Sequence, residues 1–311
     1  MDSVPLMGGI AWWAFDLVIF GFLFGAGVLL AELIASAQKR GWALWRIVAA
    51  VLLLGSWLVI FYGSFVEPRL LVTNEQFINI AKGNADRDVR VVVFADPHAG
   101  PYKQEAWARK VVNKINAIDA EAVFIIGDYV FNATNQVEML SAYADINKPV
   151  YAVLGNHDQE FADADAVAAV LESYGIHFLR NASEPIVFAS GAVANIVGVD
   201  DLWFTPDPIK ALAQAQPDQP TIMLVHNPDY ILDPTSDQPD LVISGHTHCG
   251  QIRLPWLGPV PPLPTALGRA WDCGLYSYDG GQLWITPGVG ETGPRARLFN
   301  PPTIDILTLH L

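Results

Sequence analysis

Five of the seven histidines in this 311-residue chain sit where apolar runs break off into polar residues. "VRVVVFAD" leads to Asp96-Pro97-His98, "AVFIIGD" ends in Gly127-Asp128, and "PVYAVLGNHD" ends in Gly155-Asn156-His157-Asp158. "TIMLVHNPD" carries His226, and "DLVISGHTH" closes on His246 and His248. Only His177 and His310 lie elsewhere. A lone histidine in such a place is more often a hydrogen-bonded core residue than a ligand. Five of them with Asp96, Asp128, Asp158 and Asn156 would be costly to bury without a purpose. Imidazole and carboxylate donors suit Zn, Mn or Fe rather than Ca, and the lack of thiolates argues against a structural zinc knot. Two ions need roughly seven or eight protein ligands with one carboxylate shared, and this inventory meets that need. On an extended chain, residues two apart point to one side, so Asp96 and His98 are expected to reach one ion together.

Those residues need elements to hold them at one place. The runs at 89–96, 122–128, 149–158, 192–201, 221–229, 240–248 and 281–288 read as strands, several of them continuously apolar, as in sheets buried on both faces. Helical spacing appears between them, in "KQEAWARKVVNKINAI" (103–118), "VEMLSAYADI" (137–146) and "ADAVAAVLESYG" (164–175), the last stopped by Gly175. Strands alternating with helices predict an α/β domain, in which sites gather at the carboxyl ends of strands.

The ordered series D-x-H, G-D, G-N-H-D, a separate histidine and G-H-x-H resembles the calcineurin-like metallophosphoesterases, over roughly residues 89 to 311. The closing text "GHTHCGQIRLP" and "GLYSYDGGQLWITPGVGETGPRARLFNPPTIDILTL" is similar to a membrane-linked bacterial branch with YaeI-like and YkuE-like members. The resemblance implies a sandwich of two mixed β-sheets flanked by helices, and a phosphoesterase using two divalent ions. It would give Asp96, His98 and His248 to the first ion, Asn156, His226 and His246 to the second, and Asp128 to both. His157 would serve the leaving group as proton donor or charge stabiliser, with Asp158 orienting its ring. Some relatives are UDP-2,3-diacylglucosamine hydrolases, which makes that reaction an alternative to a more general phosphate ester or pyrophosphate cleavage. A metal-loaded sensor without turnover is a further alternative, and the His157–Asp158 pair speaks against it. One departure is the absence of a second acid after Gly127-Asp128, where the chain reads Tyr129-Val130-Phe131. Arg253, Arg295 and Arg297 could bind a phosphate or serve the surface.

The composition points to a membrane. Hydrophobic residues make up 52% of the chain, charged residues 16%, and mean hydropathy is +0.29; an ordinary soluble domain is about 25% charged. Asp16 is the only charge from Ile10 to Ala31, and Ile47 to Val66 has none. Each run is about the ~20 residues of a membrane-spanning helix. The expected organisation is a transmembrane hairpin over 1–68, a polar and partly helical connector over 69–87, and the catalytic domain over 88–311. "MDSVPLMGG" carries no positive charge, unlike a cleaved signal peptide. Lys39, Arg40 and Arg46 in or beside the link between the runs predict that this link faces the cytoplasm. The domain would then face outward from the inner or plasma membrane, which makes a cytoplasmic lipid A precursor a poorer substrate. The net charge of −14 lies almost wholly after Arg69, and an acidic domain without a basic stripe argues against nucleic acid. The expected partners are the membrane and a phosphorylated small-molecule or lipid substrate. Two readings stay open at the C-terminal side. Cys249 and Cys273 could bridge, although two free buried thiols are favoured because no geometry supports a bond. "RLPWLGPVPPLPTALG" (253–268), with five prolines, is expected to be extended without sheet pairing, either capping the core or forming an apolar rim for bilayer or acyl chain.

Overall fold

The computed structural model describes residues 7–80, 87–232 and 239–311. The first residues "MDSVPL" and residues 81–86 of the expected connector lie outside the described residues. Helices α1 (Met7–Arg40) and α2 (Leu44–Phe61) form an antiparallel pair. The backbone then runs through a wide helical turn, Tyr62–Val66, and a 3₁₀ turn, Glu67–Arg69. The apolar stretches Trp12–Arg40 and Leu44–Arg69 are long enough to cross a membrane, and only 11% and 0% of their most apolar windows are buried. Such exposure is incompatible with core helices of a water-soluble domain, because that much apolar surface needs a nonaqueous neighbour.

Fourteen strands follow among the described residues. They are β1 (Val72–Asn79), β2 (Asp88–Phe94), β3 (Ala122–Ile126), β4 (Val150–Val153), β5 (Ile176–Phe178), β6 (Ala182–Val187) and β7 (Val193–Val199). After these come β8 (Thr221–Val225), β9 (Leu241–Ser244), β10 (Arg253–Leu254), β11 (Gly258–Pro259), β12 (Gly274–Tyr278), β13 (Gly281–Ile285) and β14 (Thr303–His310). One six-stranded sheet has the order β1-β14-β2-β3-β4-β5, and the other β12-β13-β9-β8-β7-β6. Both are mixed: β2, β3, β4 and β5 are parallel, as are β13, β9, β8 and β7, with antiparallel pairs beside them. This is the expected two-sheet α/β sandwich.

The pleat explains the continuous apolar runs. Val91 and Val93 of β2 face the other sheet and meet Ile196, Leu224 and Ile243 in one buried cluster. Val92 and Phe94 face outward and are covered by α3 (Glu105–Asn116) and α5 (Ala164–Ser173) through Val111, Ile115, Val167 and Leu171. On the far side, Val197, Met223 and Val242 pack against Ala211 and Leu212 of α6 (Pro208–Leu212). The expected helix 137–146 is present as 3₁₀ turns over Thr134–Asp145, and Ile146 is already extended.

Two expectations need correction. The stretch read as a partly helical connector contains β1, paired in parallel with β14 from Val72–Thr303 to Asn79–His310. Its polar residues fit because β1 is an edge strand and mostly exposed. The proline-rich stretch does make a small hairpin, with Arg253 opposite Pro259 and Leu254 opposite Gly258. Positive φ values at Trp256 (65°) and Gly258 (80°) permit that tight return.

Candidate metal centre

Asp96, His98, Asp128, His157, His226, His246 and His248 come together at one place beyond the strand ends. The strands stop early: β2 ends at Phe94, β3 at Ile126 and β9 at Ser244. Beyond them, Asp96, His98, Asp128, His246 and His248 all have φ between 42° and 65°. Five non-glycine residues in the left-handed region within one cluster is strain stored at a site. It also corrects the expected route by which Asp96 and His98 meet. They are turned toward one point by left-handed backbone, not by the alternation of a strand. Glycines make the close approach feasible. A Cβ on Gly127, itself at φ +75°, would lie 2.6 Å from the Gly155 nitrogen, and one on Gly155 would lie 2.2 Å from Asp128 Oδ1.

Asp96, His98 and His248 offer ligand atoms within 4.8 Å of one another, as do Asp96, Asp128 and His226, and His98, Asp128 and His157. Asp128 Oδ2 lies 3.5 Å from His98 Nε2 and 3.2 Å from His226 Nε2, between the two groups. His98 Nε2 and His248 Nε2 face each other at 3.1 Å. His226 donates from Nδ1 to the Ile126 carbonyl at 2.7 Å, which leaves Nε2 turned inward. His246 donates from Nε2 to the Pro264 carbonyl at 2.8 Å, and its ring packs edge-on against His226. Asn156 heads the short helix α4 (Asn156–Glu160) and is buried.

The electrostatics suit cations. Burial, with neighbouring imidazoles adding to it, pushes His98 and His246 down to about 3 and His248 well below its ordinary range. Neutral imidazole is the form that binds a metal. Burial opposes the charged form of Asp128, but His226 and His157 outweigh it and hold the carboxyl low. Burial also works against protonated His226, yet Asp128 raises it to about 10. Asp96 is pushed up to about 8 by burial and by Asp128. Two facing buried carboxylates need compensating positive charge. Asp96 Oδ2, Asn156 Oδ1, His226 Nε2 and His248 Nδ1 are buried without a hydrogen-bond partner. Orphaned donor atoms of this kind, on imidazole, carboxylate and amide, fit divalent transition metals.

Asp158 lies elsewhere than its expected role requires. Its carboxylate accepts from the backbone nitrogens of Asp128 (2.9 Å), Tyr129 (2.8 Å), Val130 (3.2 Å) and Gly155 (3.0 Å). It fastens the loop carrying Asp128. The His157 ring is oriented instead by the Phe131 carbonyl, which accepts from Nδ1 at 2.7 Å. The three arginines are taken up by protein partners. Arg297 is fully buried, and its guanidinium donates to the carbonyls of Pro287, Gly288, Gly290 and Asn300. Arg253 pairs with Asp272 at 2.8 Å and Arg295 with Asp16 of α1 at 3.0 Å. Cys249 and Cys273 are bonded, correcting the free-thiol expectation; the fold brings their Cα atoms to 5.0 Å.

Further residues support the site. Asn300 donates to the His248 carbonyl at 2.7 Å and from its own backbone to Glu67, so the end of the second apolar stretch touches the centre's support. Trp203 packs edge-on against His246 at 4.9 Å, and buried Asp201 accepts from the Trp203 backbone. Asp201 and Trp203 follow the end of β7, as the candidate ligands follow their own strands.

A buried cluster of Asp, His and Asn side chains able to hold metal ions, at the strand ends of a two-sheet sandwich, fits the metal-dependent hydrolases of phosphate esters. The comparison with known families agrees. The calcineurin-like phosphoesterase pattern matches residues 89–250, just over half of the chain and every residue from Asp96 to His248. The chain belongs to this family and is a hydrolase acting on phosphoester bonds. It is 27% identical to the metallophosphoesterase YkuE of Bacillus subtilis over 80% of this chain and 88% of that one. A zebrafish (Danio rerio) transmembrane protein with a metallophosphoesterase domain is 29% identical over 95% of this chain and 70% of its own length. LpxG of Chlamydia muridarum, a UDP-2,3-diacylglucosamine pyrophosphatase, is 25% identical over 85% and 95% respectively.

Proposed function

We propose that this protein is a two-pass membrane enzyme that hydrolyses a phosphate ester or pyrophosphate bond of a lipid-linked substrate outside the cytoplasm. The carrying observation is the buried cluster of orphaned ligand atoms, mounted beside two long exposed apolar helices. Asp96, His98 and His248 would hold one ion, Asn156, His226 and His246 a second, and Asp128 would bridge them; Mn, Fe or Zn suits these donors. Bound divalent ions supply Lewis acidity toward the phosphoryl oxygens and ease deprotonation of water. His157, turned by the Phe131 carbonyl, offers its other ring nitrogen to protonate the leaving oxygen. Asp158 keeps the Asp128 loop in place.

Two independent features support the outward side. Lys39, Arg40 and Arg46, in or beside the link between the helices, favour a cytoplasmic link. The Cys249–Cys273 bond belongs to an oxidising compartment such as the periplasm. A lipid-linked substrate is supported by the tip beyond His248. Leu254, Trp256, Leu257 and Phe299 are exposed together, and Ile252 beside them lines an apolar groove with Val18, Phe22 and Val59. An exposed apolar tip next to membrane-spanning helices suits bilayer or acyl chain. The likeness to LpxG favours a second reading, a diacylated sugar nucleotide cut at its pyrophosphate; the outward orientation weighs against it for a cytoplasmic precursor.

The test is turnover of bis-p-nitrophenyl phosphate and of a phosphorylated lipid by purified protein, with metal content measured in parallel. Trp256→Ala with Leu257→Ala is expected to slow the lipid reaction far more than the soluble one. Equal losses would remove the lipid reading, and full activity after exhaustive chelation would remove the metal reading. A reporter fused at Leu311 that is active only in the cytoplasm would overturn the orientation.

A further inference from the structure

A cleft of about 430 Å³ opens where the second apolar stretch ends. Its wall includes Arg69, Lys103, Lys110, Arg295, Tyr102 and Trp107. Four cations against one lining carboxylate, Glu291, is unusual in a chain of net charge −14. Lys103 and Glu291 neutralise each other at 3.1 Å, both buried, and Arg295 is paired with Asp16. Arg69 and Lys110 are exposed and have no carboxylate partner among the described residues. Their internal bonds go to carbonyls, Arg69 to Phe65 and Lys110 to Arg69 at 2.6 Å, and the Lys110 ammonium also lies 5.0 Å from the Trp107 ring. Each keeps donors free for an anion.

The position of the cleft says which anion. Arg69 is the last residue of the stretch Leu44–Arg69, and the Tyr102 hydroxyl donates to the Trp12 carbonyl of α1. Basic side chains with Trp and Tyr at the end of a span mark the level of lipid headgroups. The cleft is separate from the metal centre. Phe131 stands between, edge-on to Tyr102 at 5.8 Å and to His157 at 6.4 Å.

We propose that Arg69 and Lys110 bind the phosphate of a bilayer lipid in this cleft and so fix the catalytic domain against the membrane surface. The site rests on the membrane embedding proposed above and is independent of the metal chemistry. The test uses the full chain in detergent micelles, titrated with phosphatidylglycerol and read by native mass spectrometry. Wild type is expected to retain the lipid, and Arg69→Gln with Lys110→Gln to bind it roughly 30-fold more weakly. The melting temperature and hydrolysis of bis-p-nitrophenyl phosphate should stay unchanged. Should the double variant fail to fold, Lys110→Gln alone, on the exposed face of α3, is expected to weaken binding roughly fivefold. Unaltered lipid affinity in the variants would overturn the proposal. Displacement by glycerol phosphate at concentrations equal to the lipid would overturn the lipid source. Alkaline extraction separates the two premises: a protein released from membranes refutes the embedding, whereas an integral protein with unaltered binding refutes this cleft alone.

Discussion

The two halves of the metal centre are held together in different ways. On one side, His226 and His246 each give a ring proton to a main-chain carbonyl, of Ile126 and of Pro264. Their rings are aimed before any ion arrives, as outer partners of metal-bound histidines do. On the other side, His98 and His248 point Nε2 at each other across 3.1 Å. There the support acts on backbone: Asn300 grips the His248 carbonyl, and the Cys249–Cys273 bond follows directly. One half is prepared at its rings, the other at its chain. The first should keep its shape when empty; the second needs positive charge to stop two imidazoles and a carboxylate from relaxing apart.

Asp128 stands between the halves, so its loss should erase the difference. Asp128→Ala is expected to lose both ions and with them all turnover, measured by plasma emission and by bis-p-nitrophenyl phosphate hydrolysis. Retention of one ion would mean that the halves do not share this carboxylate.

In the proposed mechanism His157 would act on the leaving group and would not hold an ion. His157→Ala is expected to keep the metals and lose ~10²–10⁴-fold in turnover, the usual share of a general acid. The loss should shrink with a nitrophenolate leaving group, which needs no proton. Equal losses for good and poor leaving groups would take the proton-donor role from it.

Graded chelation probes the asymmetry itself. Metal content should fall in two steps, and the ion that stays longer should vanish in His226→Ala but survive in His98→Ala. Outer partners of this kind are worth ~10–100-fold in affinity. A single step would show that the carbonyl-held rings confer no advantage.

How much of this could be read from sequence follows the same division. The candidate ligands were legible because each is the first polar residue after a buried strand or, for His98 and His248, lies two positions beyond it, and the strands announce themselves as apolar runs. The order of those runs indicated an α/β domain, and the two-sheet sandwich was implied by the resemblance to the calcineurin-like phosphoesterases. What failed to show were contacts made through backbone. Asp158 looked like a partner for the neighbouring ring, yet its four bonds go to main-chain nitrogens. Arg297 was open to a phosphate-binding or a surface role, yet it is buried and carbonyls of the 287–290 loop enclose it. Side-chain type carries no record of such bonds. β1 was hidden for another reason: an exposed edge strand lacks the apolar run, and only its pairing with β14 reveals it.

The disulfide gives the smallest and most local effect. It closes a loop of 24 residues in sequence, and removing such a link costs ~3 kcal/mol of stability by loop entropy. Cys249 itself holds a left-handed conformation beside left-handed His248, with φ of 50° and 48°. The bond therefore helps keep the backbone of one ligand in a strained turn. Cys249→Ser with Cys273→Ser should lower the melting temperature and weaken only the ion held by His98 and His248, by about tenfold. The ion of the carbonyl-held half should be untouched in the same titration. If both ions weaken alike, the disulfide braces the whole site, and the division between rings prepared by carbonyls and backbone prepared by a cross-link fails.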